Sequence, residues 1–294
     1  MKRILVTDGQ QRKALSVCRS LGKKGIEVYI AETTRATPAG FSKYCTKRLL
    51  SPDPKEQPGE YLEWLLRAVE VNQIDMLIAT DEGSIEIICG ARDQVAQRVC
   101  ILMPEERSLL KAVHKGNSVK VAMEADVPCP KTIFPKEEDQ EEQWSRELGF
   151  PMVIKPCRSN GSRGIRVVWD LDGLRREGRR IHREYGEFIL QQCVPQGLRY
   201  DVCLIYDKKG FLAAEFVQKE LRHFPEPMGP STIQESVHFP LLLDRAKRMM
   251  ERIPWQGVVE LEFMEDPQSG EFLFMEINGK LWASLELAVL SGVD

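Results

Sequence analysis

The sequence lacks the patterns that mark several common classes of protein. No apolar run is long enough to span a membrane, and the opening residues MKRILVTDG enter a strand-like run without a secretory apolar region and cleavage site. The formal net charge is only −3, which argues against a surface built to bind nucleic acid. We therefore expect a cytoplasmic protein with small-molecule partners, no nucleic acid and no membrane, and we leave a homodimer open.

The cysteine pattern excludes another class of site. The eight cysteines include no CxxC pair, and no Cys/His spacing fits a zinc site. Several cysteines lie in apolar runs, such as Cys89 in IEIICG. This use of cysteine as a small buried hydrophobe is typical of a reducing compartment.

Two nucleotide-binding motifs are also missing. The first strand-to-helix turn, TDGQQR, lacks the GxGxxG that brings backbone close to a dinucleotide, which argues against NAD. The glycine-rich loop RSNGSRG at 158–164 is not a P-loop, because GxxxxGK[ST] is absent and a strand-like run follows the loop.

The first third of the chain alternates strand and helix signals. At 294 residues the chain suits two or three domains. Residues 3–7, 27–31 and 75–79 are short apolar runs of strand type, and 12–24 has helical spacing between the first two. This alternation predicts a parallel sheet whose ligand crevice lies at the carboxyl ends of the strands.

Three acids follow two of these strands, namely Asp8, Asp81 and Glu82. They are candidates for orienting an amine through charge-assisted hydrogen bonds. The alternative is that Asp8 and Asp81 cap the helices that begin after their strands.

The most informative segment is ELEFMEDPQSGEFLFMEINGK, which begins at residue 260. Two alternating apolar strands flank a DPQSG turn, so we predict a β-hairpin. Side chains alternate along a strand, which places Glu276 and Asn278 on one face, and Glu262 joins them in any register without a bulge. Three oxygen ligands without His or Cys suit Mg²⁺. A solvated face is the alternative, but Phe272 and Phe274, assigned to the same face, argue for burial.

A second element points to phosphate. The strand FPMVIKP places Lys155 just before the loop 158–164, in which Gly161 and Gly164 can expose backbone N–H groups to phosphate oxygens. A plain hairpin turn is the alternative. Upstream, 107–125 is predicted to be one helix, ended by Pro128 and Pro130.

These elements occur in an order that resembles the ATP-grasp superfamily. Lys115, Lys155 with SNGSRG, then ILQQCVPQG, ELEF and FMEINGK follow one another along nearly the whole chain. The chain is most similar to the carboxylate–amine ligase group related to carbamoyl phosphate synthase and biotin carboxylase large chains.

The resemblance implies an α/β and α+β fold in three parts. A pre-ATP-grasp parallel α/β (Rossmann-like) domain would span 1–110, followed by a two-subdomain ATP-grasp fold. Its small subdomain would span 111–190 and its large subdomain 191–294. Family members usually continue with more helices after SLELAVLSGVD, so we expect the C-terminal part to be incomplete.

The resemblance also implies the ATP-binding residues. The two lysines, Lys115 and Lys155, would contact phosphates, and a hinge would offer its backbone to adenine. Asp201 could replace the usual ribose-binding acid, which is Arg199 here. The complete set of ATP-binding residues implied is Lys115, Lys155, Ser159, Gly161, Ser162, Gly164, Gln191, Gln192, Cys193, Val194 and Asp201.

The remaining implied roles concern metal and catalysis. Glu262, Glu276 and Asn278 match the Mg²⁺ (or Mn²⁺) ligands, and Lys280 replaces the usual Arg that faces the transferred phosphate. Lys155, Lys280 and Arg222 would then act in catalysis, Arg222 from the loop ELRHFPEPMGPS together with the neighbouring His223. A solvated loop over the cleft is the alternative for these last two residues.

The function implied is an ATP- and Mg²⁺-dependent ligase. It would activate a carboxylate as an acyl phosphate for attack by an amine. Two alternatives stay open, namely a bicarbonate-using carboxylase and an ATP-binding regulator or scaffold that does not catalyse.

Overall fold

The computed structural model describes residues 2–135, 140–159, 161, 163–224 and 229–294. Within them lie parallel and antiparallel sheets covered by helices, which is a mixed α/β fold. No helix in the described ranges combines the length and the apolar character needed to cross a membrane.

The first sheet is parallel, as the alternation of strands and helices predicts. Its five strands have the order β3-β2-β1-β4-β5. The elements are β1 Arg3–Val6, α1 Arg12–Lys23, β2 Glu27–Glu32, β3 Cys45–Leu50, α2 Pro58–Asn72, β4 Met76–Ile78, α3 Glu82–Gly90, α4 Arg92–Ala96 and β5 Cys100–Ile101.

The second sheet has four strands in the order β6-β9-β7-β8, paired antiparallel. Its central strands β7 and β9 are short apolar runs that pack on α7 and α8 with one face, while the other face of β9 packs on α6. The elements are α5 Glu106–Val113, α6 Lys115–Glu124, β6 Thr132–Ile133, α7 Glu141–Leu148, β7 Met152–Pro156, β8 Arg166–Val168, α8 Leu171–Tyr185 and β9 Phe188–Gln192.

The third sheet is antiparallel, with five strands in the order β12-β11-β10-β13-β14. The elements are β10 Arg199–Tyr206, β11 Leu212–His223, β12 Ser231–Ser236, α9 Pro240–Met250, β13 Gly257–Glu265, β14 Phe272–Asn278 and α10 Leu285–Leu290. The predicted hairpin is therefore confirmed as β13 and β14, at one edge of this sheet.

One buried cluster joins the three sheets. It contains Leu77 from the first sheet, Ile189 from the second and Leu261 from the third, each at most 2% exposed. A continuous apolar core holds the sheets in a fixed relation, so that residues far apart in the sequence can build one site.

The predicted helix over 107–125 is wrong in one respect. The chain forms two helices, because His114 adopts extended backbone angles (φ −79°, ψ 109°) and caps the second helix by accepting from the N–H of Asn117. The break starts a new helix at Lys115 and therefore decides where that side chain lies.

The placement of Phe272 and Phe274 on the face of the acids is also wrong. Glu262 pairs with Glu276, but the register shifts at the next pair, Phe263 with Phe274, which leaves Met275 as an extra residue. One inserted residue reverses the alternation. Phe274 therefore lies with Phe263 in the core, with ring centroids 6.0 Å apart.

Two glycines with positive φ allow a test of the contact between the first and third sheets. Gly257 (φ +85°) begins β13, and a Cβ there would lie 2.2 Å from the backbone oxygen of Leu102. Gly210 (φ +80°) has ordinary space around it, with its closest contact at 3.6 Å. We expect Gly210→Ala to lower the free energy of unfolding by about 1–2 kcal/mol, and Gly257→Ala to lower it by more than about 3 kcal/mol because of the added clash. Urea unfolding of the two variants checks this, and equal losses would contradict it.

Candidate active site

Four polar side chains meet on one face of the hairpin. Glu262 lies opposite Glu276, and Glu260 lies opposite Asn278. The Asn278 amide nitrogen donates to Glu262 Oε1 at 2.8 Å and to Glu260 Oε2 at 3.1 Å. The three residues predicted as metal ligands are thus brought together, and Glu260 is an additional acid that the sequence analysis did not include.

Lys115 connects the second sheet's helices to this face. Its Nζ lies 3.1 Å from Glu276 Oε2 and donates to the main-chain oxygen of Ser159 at 2.6 Å. The side chain is 8% exposed. Because Lys115 is the first residue of α6, the break at His114 is what aims this cation at the hairpin.

The acids of the cluster differ in the direction in which their pKa is shifted. Burial, followed by the charge of Glu276, raises the pKa of Glu262 well above its ordinary value, and burial likewise raises the pKa of Glu260. For Glu276 burial also acts upward, but Lys115 and Lys155 outweigh it, and the pKa is lowered. Glu276 is therefore the member of the cluster that is held ionised by cations.

Lys155 lies on β7, and the structure buries it to 8% exposure. Burial, opposed by the charge of Glu276, lowers the pKa of Lys155 to about 8. A cation that is only partly protonated at mildly alkaline pH gains its full charge when anionic groups such as phosphates come near.

The donor set fits a hard divalent cation. Both nitrogen–hydrogen contacts of Asn278 go to Glu260 and Glu262, so the amide oxygen is the atom left to act as a ligand. Carboxylate and amide oxygens are the ligands that Mg²⁺ takes in sites shared with phosphates. Glu262, Glu276 and Asn278 would hold such an ion, with two lysines beside it for phosphate charge.

The glycine loop reaches the same region. Ser159 accepts from Lys115, and Gly161 lines the cleft above the hairpin. Gly164 has φ +74°, and a Cβ there would lie 2.7 Å from Pro156, so the loop needs glycine at its far end. Ser162 lies outside the described residues.

The predicted hinge connects the second and third sheets. Gln191 is buried, and its side chain donates to Thr132 Oγ1 at 3.0 Å, while the N–H of Gln192 donates to the oxygen of Lys131 at 2.9 Å. Cys193 and Val194 follow the end of β9 and are half-buried. Contact of this segment with adenine stays a prediction.

Asp201 is buried in the acid cluster. It is the cross-strand neighbour of Glu262 and accepts from Gln218 Nε2 at 2.7 Å. Burial, followed by the charge of Glu220, raises the pKa of Asp201 to about 7. A ribose-binding role stays a prediction.

Sequence reasoning missed Gln218, Glu220 and Glu260, which neighbour the predicted residues on β11 and β13. They share a detectable signal, because polar residues stand at every second position of otherwise apolar strands. The alternating positions are Arg199 and Asp201 on β10, Gln218 and Glu220 on β11, and Glu260 and Glu262 on β13.

The three acids of the first sheet have different surroundings. Asp8 accepts from Ser84 Oγ at 2.7 Å and from the N–H of Asp81 at 2.8 Å, so it links the ends of β1 and β4.

Asp81 makes no side-chain cap to α3, and its carboxylate lies 3.5 Å from Lys13 Nζ. Glu82 contacts Lys280. The capping alternative is therefore wrong for Asp81, and Asp8 does not cap the helix that follows it, since Gln11 stands at that N-cap.

Arg222 is not brought to the cluster. It belongs to the end of β11 and not to a loop, and it is exposed. Its neighbour His223 lies 3.5 Å from Glu220. The loop placement is wrong for both residues, and catalysis by Arg222 stays a prediction without geometric support.

Within the described residues, one group resembles a metal centre with soft ligands. One ligand atom from each of His114, Cys157 and Glu187 lies within 4.8 Å of the others. However, Nδ1 of His114 accepts from the N–H of Asn117, which leaves the proton on Nε2, the nitrogen 3.2 Å from Glu187. A protonated Nε2 donates to the carboxylate and cannot bind a metal.

A cleft of about 980 Å³ runs between the hairpin face and the first sheet. Lys280, Asn278, Glu276 and Glu262 line one side, and Lys13 and Asp81 line the other, while Gly161 of the loop also borders the cleft. The size is sufficient for a nucleotide and a second small molecule.

Comparison with known protein families matches residues 114–194 to the carbamoyl-phosphate synthase L chain, ATP binding domain. The chain is 22% identical over 288 residues to the carbamoyl phosphate synthase large chain of Saccharolobus solfataricus, covering 92% of this chain and 26% of that protein. The chain thus spans about a quarter of the length of such curated relatives.

Solved structures agree with the fold. Biotin carboxylase from Campylobacter jejuni, in a β-γ-ATP complex, superposes with a TM-score of 0.85 at 18% identity, covering 100% of this chain and 68% of that one. The biotin carboxylase domain of 2-oxoglutarate carboxylase from Hydrogenobacter thermophilus gives 0.81 at 16% identity, covering 100% and 67%. The chain is thus similar to this ATP binding domain over residues 114–194 and shares its fold with biotin carboxylases.

Proposed function

We propose that this protein is an ATP- and Mg²⁺-dependent ligase that activates a carboxylate as an acyl phosphate for attack by an amine. One observation carries the proposal, namely the Glu262–Glu276–Asn278 oxygen set in contact with Lys115. On this proposal the parallel sheet is the pre-ATP-grasp domain, and the two antiparallel sheets are the two ATP-grasp subdomains.

Two further findings support the cofactors. The Hydrogenobacter structure contains MgADP and bicarbonate, and the family match over 114–194 is to an ATP-binding domain. In this chain that range includes Lys115, Lys155 and the hinge through Val194.

The reaction divides into two balanced steps. An oxygen of the carboxylate attacks the γ-phosphorus, the bond from that phosphorus to the β–γ bridging oxygen breaks, and ADP leaves with the electron pair. The amine nitrogen then attacks the acyl carbon, the bond to the phosphate oxygen breaks, and the proton lost by nitrogen ends on the released phosphate. Neither step needs a covalent bond to the protein.

The side chains supply positioning and charge. Lys115 and Lys155 would neutralise charge on the phosphates, and Lys280 would face the transferred group. Glu262, Glu276 and Asn278 would hold Mg²⁺, which screens the repulsion between the phosphates and the incoming carboxylate oxygen. The cluster of acids keeps these groups in place through cross-strand pairing, so little rearrangement is needed.

The decisive experiment is a screen of pooled carboxylates and amines with MgATP, read by phosphate release and product mass. A ligase gives release only when both pools are present, together with a new amide mass. Release with bicarbonate alone would point to carboxylase activity, and MgATP binding without any release would point to a regulator or scaffold.

Glu276→Gln should abolish substrate-dependent phosphate release while leaving the fold intact. The change removes a ligand charge and the partner of Lys115 at the same time. We expect a loss of at least about 100-fold, since such charge stabilisation commonly contributes several kcal/mol to phosphoryl transfer. Glu265→Gln is the matched control, because Glu265 lies on β13, the other strand of the same hairpin, and on the opposite face from Glu262. Equal rates in the two variants would overturn the metal assignment.

Binding of MgATP should involve Lys155 in proton uptake. With a pKa of about 8 in the free protein, Lys155 loses charge as the pH rises through that value. Phosphates favour the charged form of Lys155. On binding MgATP at pH 8.5, wild-type protein should therefore take up about three quarters of a proton more than Lys155→Met does, and at pH 7 the difference should be small.

Calorimetry in buffers of different ionisation enthalpy measures this difference. Lys209→Met, an exposed lysine in the turn after β10, should behave as wild type. Equal uptake by wild type and Lys155→Met at pH 8.5 would contradict the assignment of Lys155 to phosphate.

A further inference from the structure

The wall of the cleft opposite the predicted metal ligands includes several cations. The first helix, RKALSVCRSLGK, has four basic residues and no acid, and three of the basic residues line the cleft, namely Arg12, Lys13 and Arg19. No sequence motif singled out this helix. The cleft therefore has an acidic wall on the third sheet and a basic wall on α1.

Lys13 is the unusual member of this wall. It is a lysine on the first turn of a helix, yet it is only 6% exposed. Its Nζ lies 3.5 Å from Asp81 Oδ1, a long contact for an ion pair. Both Lys13 and Lys280 line the same cleft. Burial, followed by the charge of Lys280, lowers the pKa of Lys13.

Two consecutive acids contact the two lysines. Asp81 contacts Lys13, and the next residue, Glu82, contacts Lys280. Asp8 in turn accepts from the N–H of Asp81 and so fixes the turn that carries both acids. Two cations from distant parts of the chain are thereby presented side by side to the cleft.

A purely structural role explains this arrangement poorly. Holding two like charges together costs free energy, and burial increases this cost. An anion placed between the lysines would offset that repulsion. Trp282 lines the same cleft and is 5% exposed, and its buried indole N–H has no hydrogen-bond partner among the described residues. Such unsatisfied donors are rare in folded proteins.

On these grounds, and resting on the proposed ligase function, we infer that Lys13 and Lys280 together bind the carboxylate that receives the phosphoryl group. The acidic wall would hold Mg²⁺ and the nucleotide phosphates, and the acceptor would lie between Lys13 on the basic wall and Lys280 at the end of the hairpin. The γ-phosphoryl group is then transferred from one wall to the other. Asp81 and Glu82 act as positioning residues for the lysines and do not contact the amine.

Inorganic phosphate is a suitable probe, because it mimics the anionic group that lies between the walls after transfer. It is titrated by calorimetry against the protein with and without saturating MgADP, for wild type and variants. We expect Lys13→Met to weaken the affinity for phosphate at least tenfold and to leave the affinity for MgADP within twofold. Lys13→Arg should keep most of the affinity, and Lys23→Met, an exposed lysine on the same helix, should keep all of it.

A second variant separates binding from structure. Asp81→Asn breaks the same ion pair as Lys13→Met, so a structural role predicts the same sign of change for both variants. Our inference predicts opposite signs, because Asp81→Asn leaves the Lys13 charge free for the anion. Phosphate affinity should then be unchanged or tighter in Asp81→Asn and weaker in Lys13→Met.

The outcomes that overturn the inference are distinct from failure of the proposed function. Phosphate affinity within twofold of wild type in Lys13→Met, equal weakening in both variants, or no phosphate binding by wild type at 50 mM would each sink the role of Lys13. Absence of MgADP and MgATP binding by wild type would instead sink the proposed function, and the titration without nucleotide would still decide whether Lys13 binds an anion.

Discussion

The ion pair between Lys115 and Glu276 is the interaction on which the rest of the site depends. It spans 3.1 Å and joins the first residue of α6 to the edge strand β14. Burial alone would favour the neutral form of Glu276, as it does for Glu260 and Glu262, and a neutral acid is a poor ligand for Mg²⁺. The two lysines keep one carboxylate ionised within a crowded acidic face.

The two walls of the cleft carry opposite charge. Acids from four neighbouring strands of the third sheet share one wall, while the charged residues that α1 contributes to the other are all cations. Each wall by itself carries repulsion between like charges. A metal ion with nucleotide phosphates on one side and a carboxylate on the other would relieve both repulsions, so the charges of the two walls favour such ligands. Burying such charged groups lowers the stability of the folded state, and the continuous apolar core beneath the three sheets offsets this loss.

Several parts of the site could be predicted from local patterns. The alternation of side chains on a strand placed Glu262, Glu276 and Asn278 together, and this held because the register shift at Met275 lies between those residues and the turn. The same shift made the prediction for Phe272 and Phe274 wrong, since a bulge leaves no mark in an alternating sequence. The predicted single helix over 107–125 failed at His114 for a related reason, because helical periodicity continues across a break that only a side-chain cap and the neighbouring strand create.

The sequence by itself determined the hairpin, the parallel order of the first sheet and the chemistry of the ligand set, because these depend on residues close together in the chain or on simple periodicity. Only the tertiary structure decided which distant charges meet. Lys13 and Lys280 are separated by most of the chain, as are Asp81 and the hairpin, and nothing local relates their positions. The apolar packing of the three sheets sets the distances between these charged groups. Burial and repulsion between like charges then change the pKa of groups such as Lys13 and give the two walls of the cleft their character.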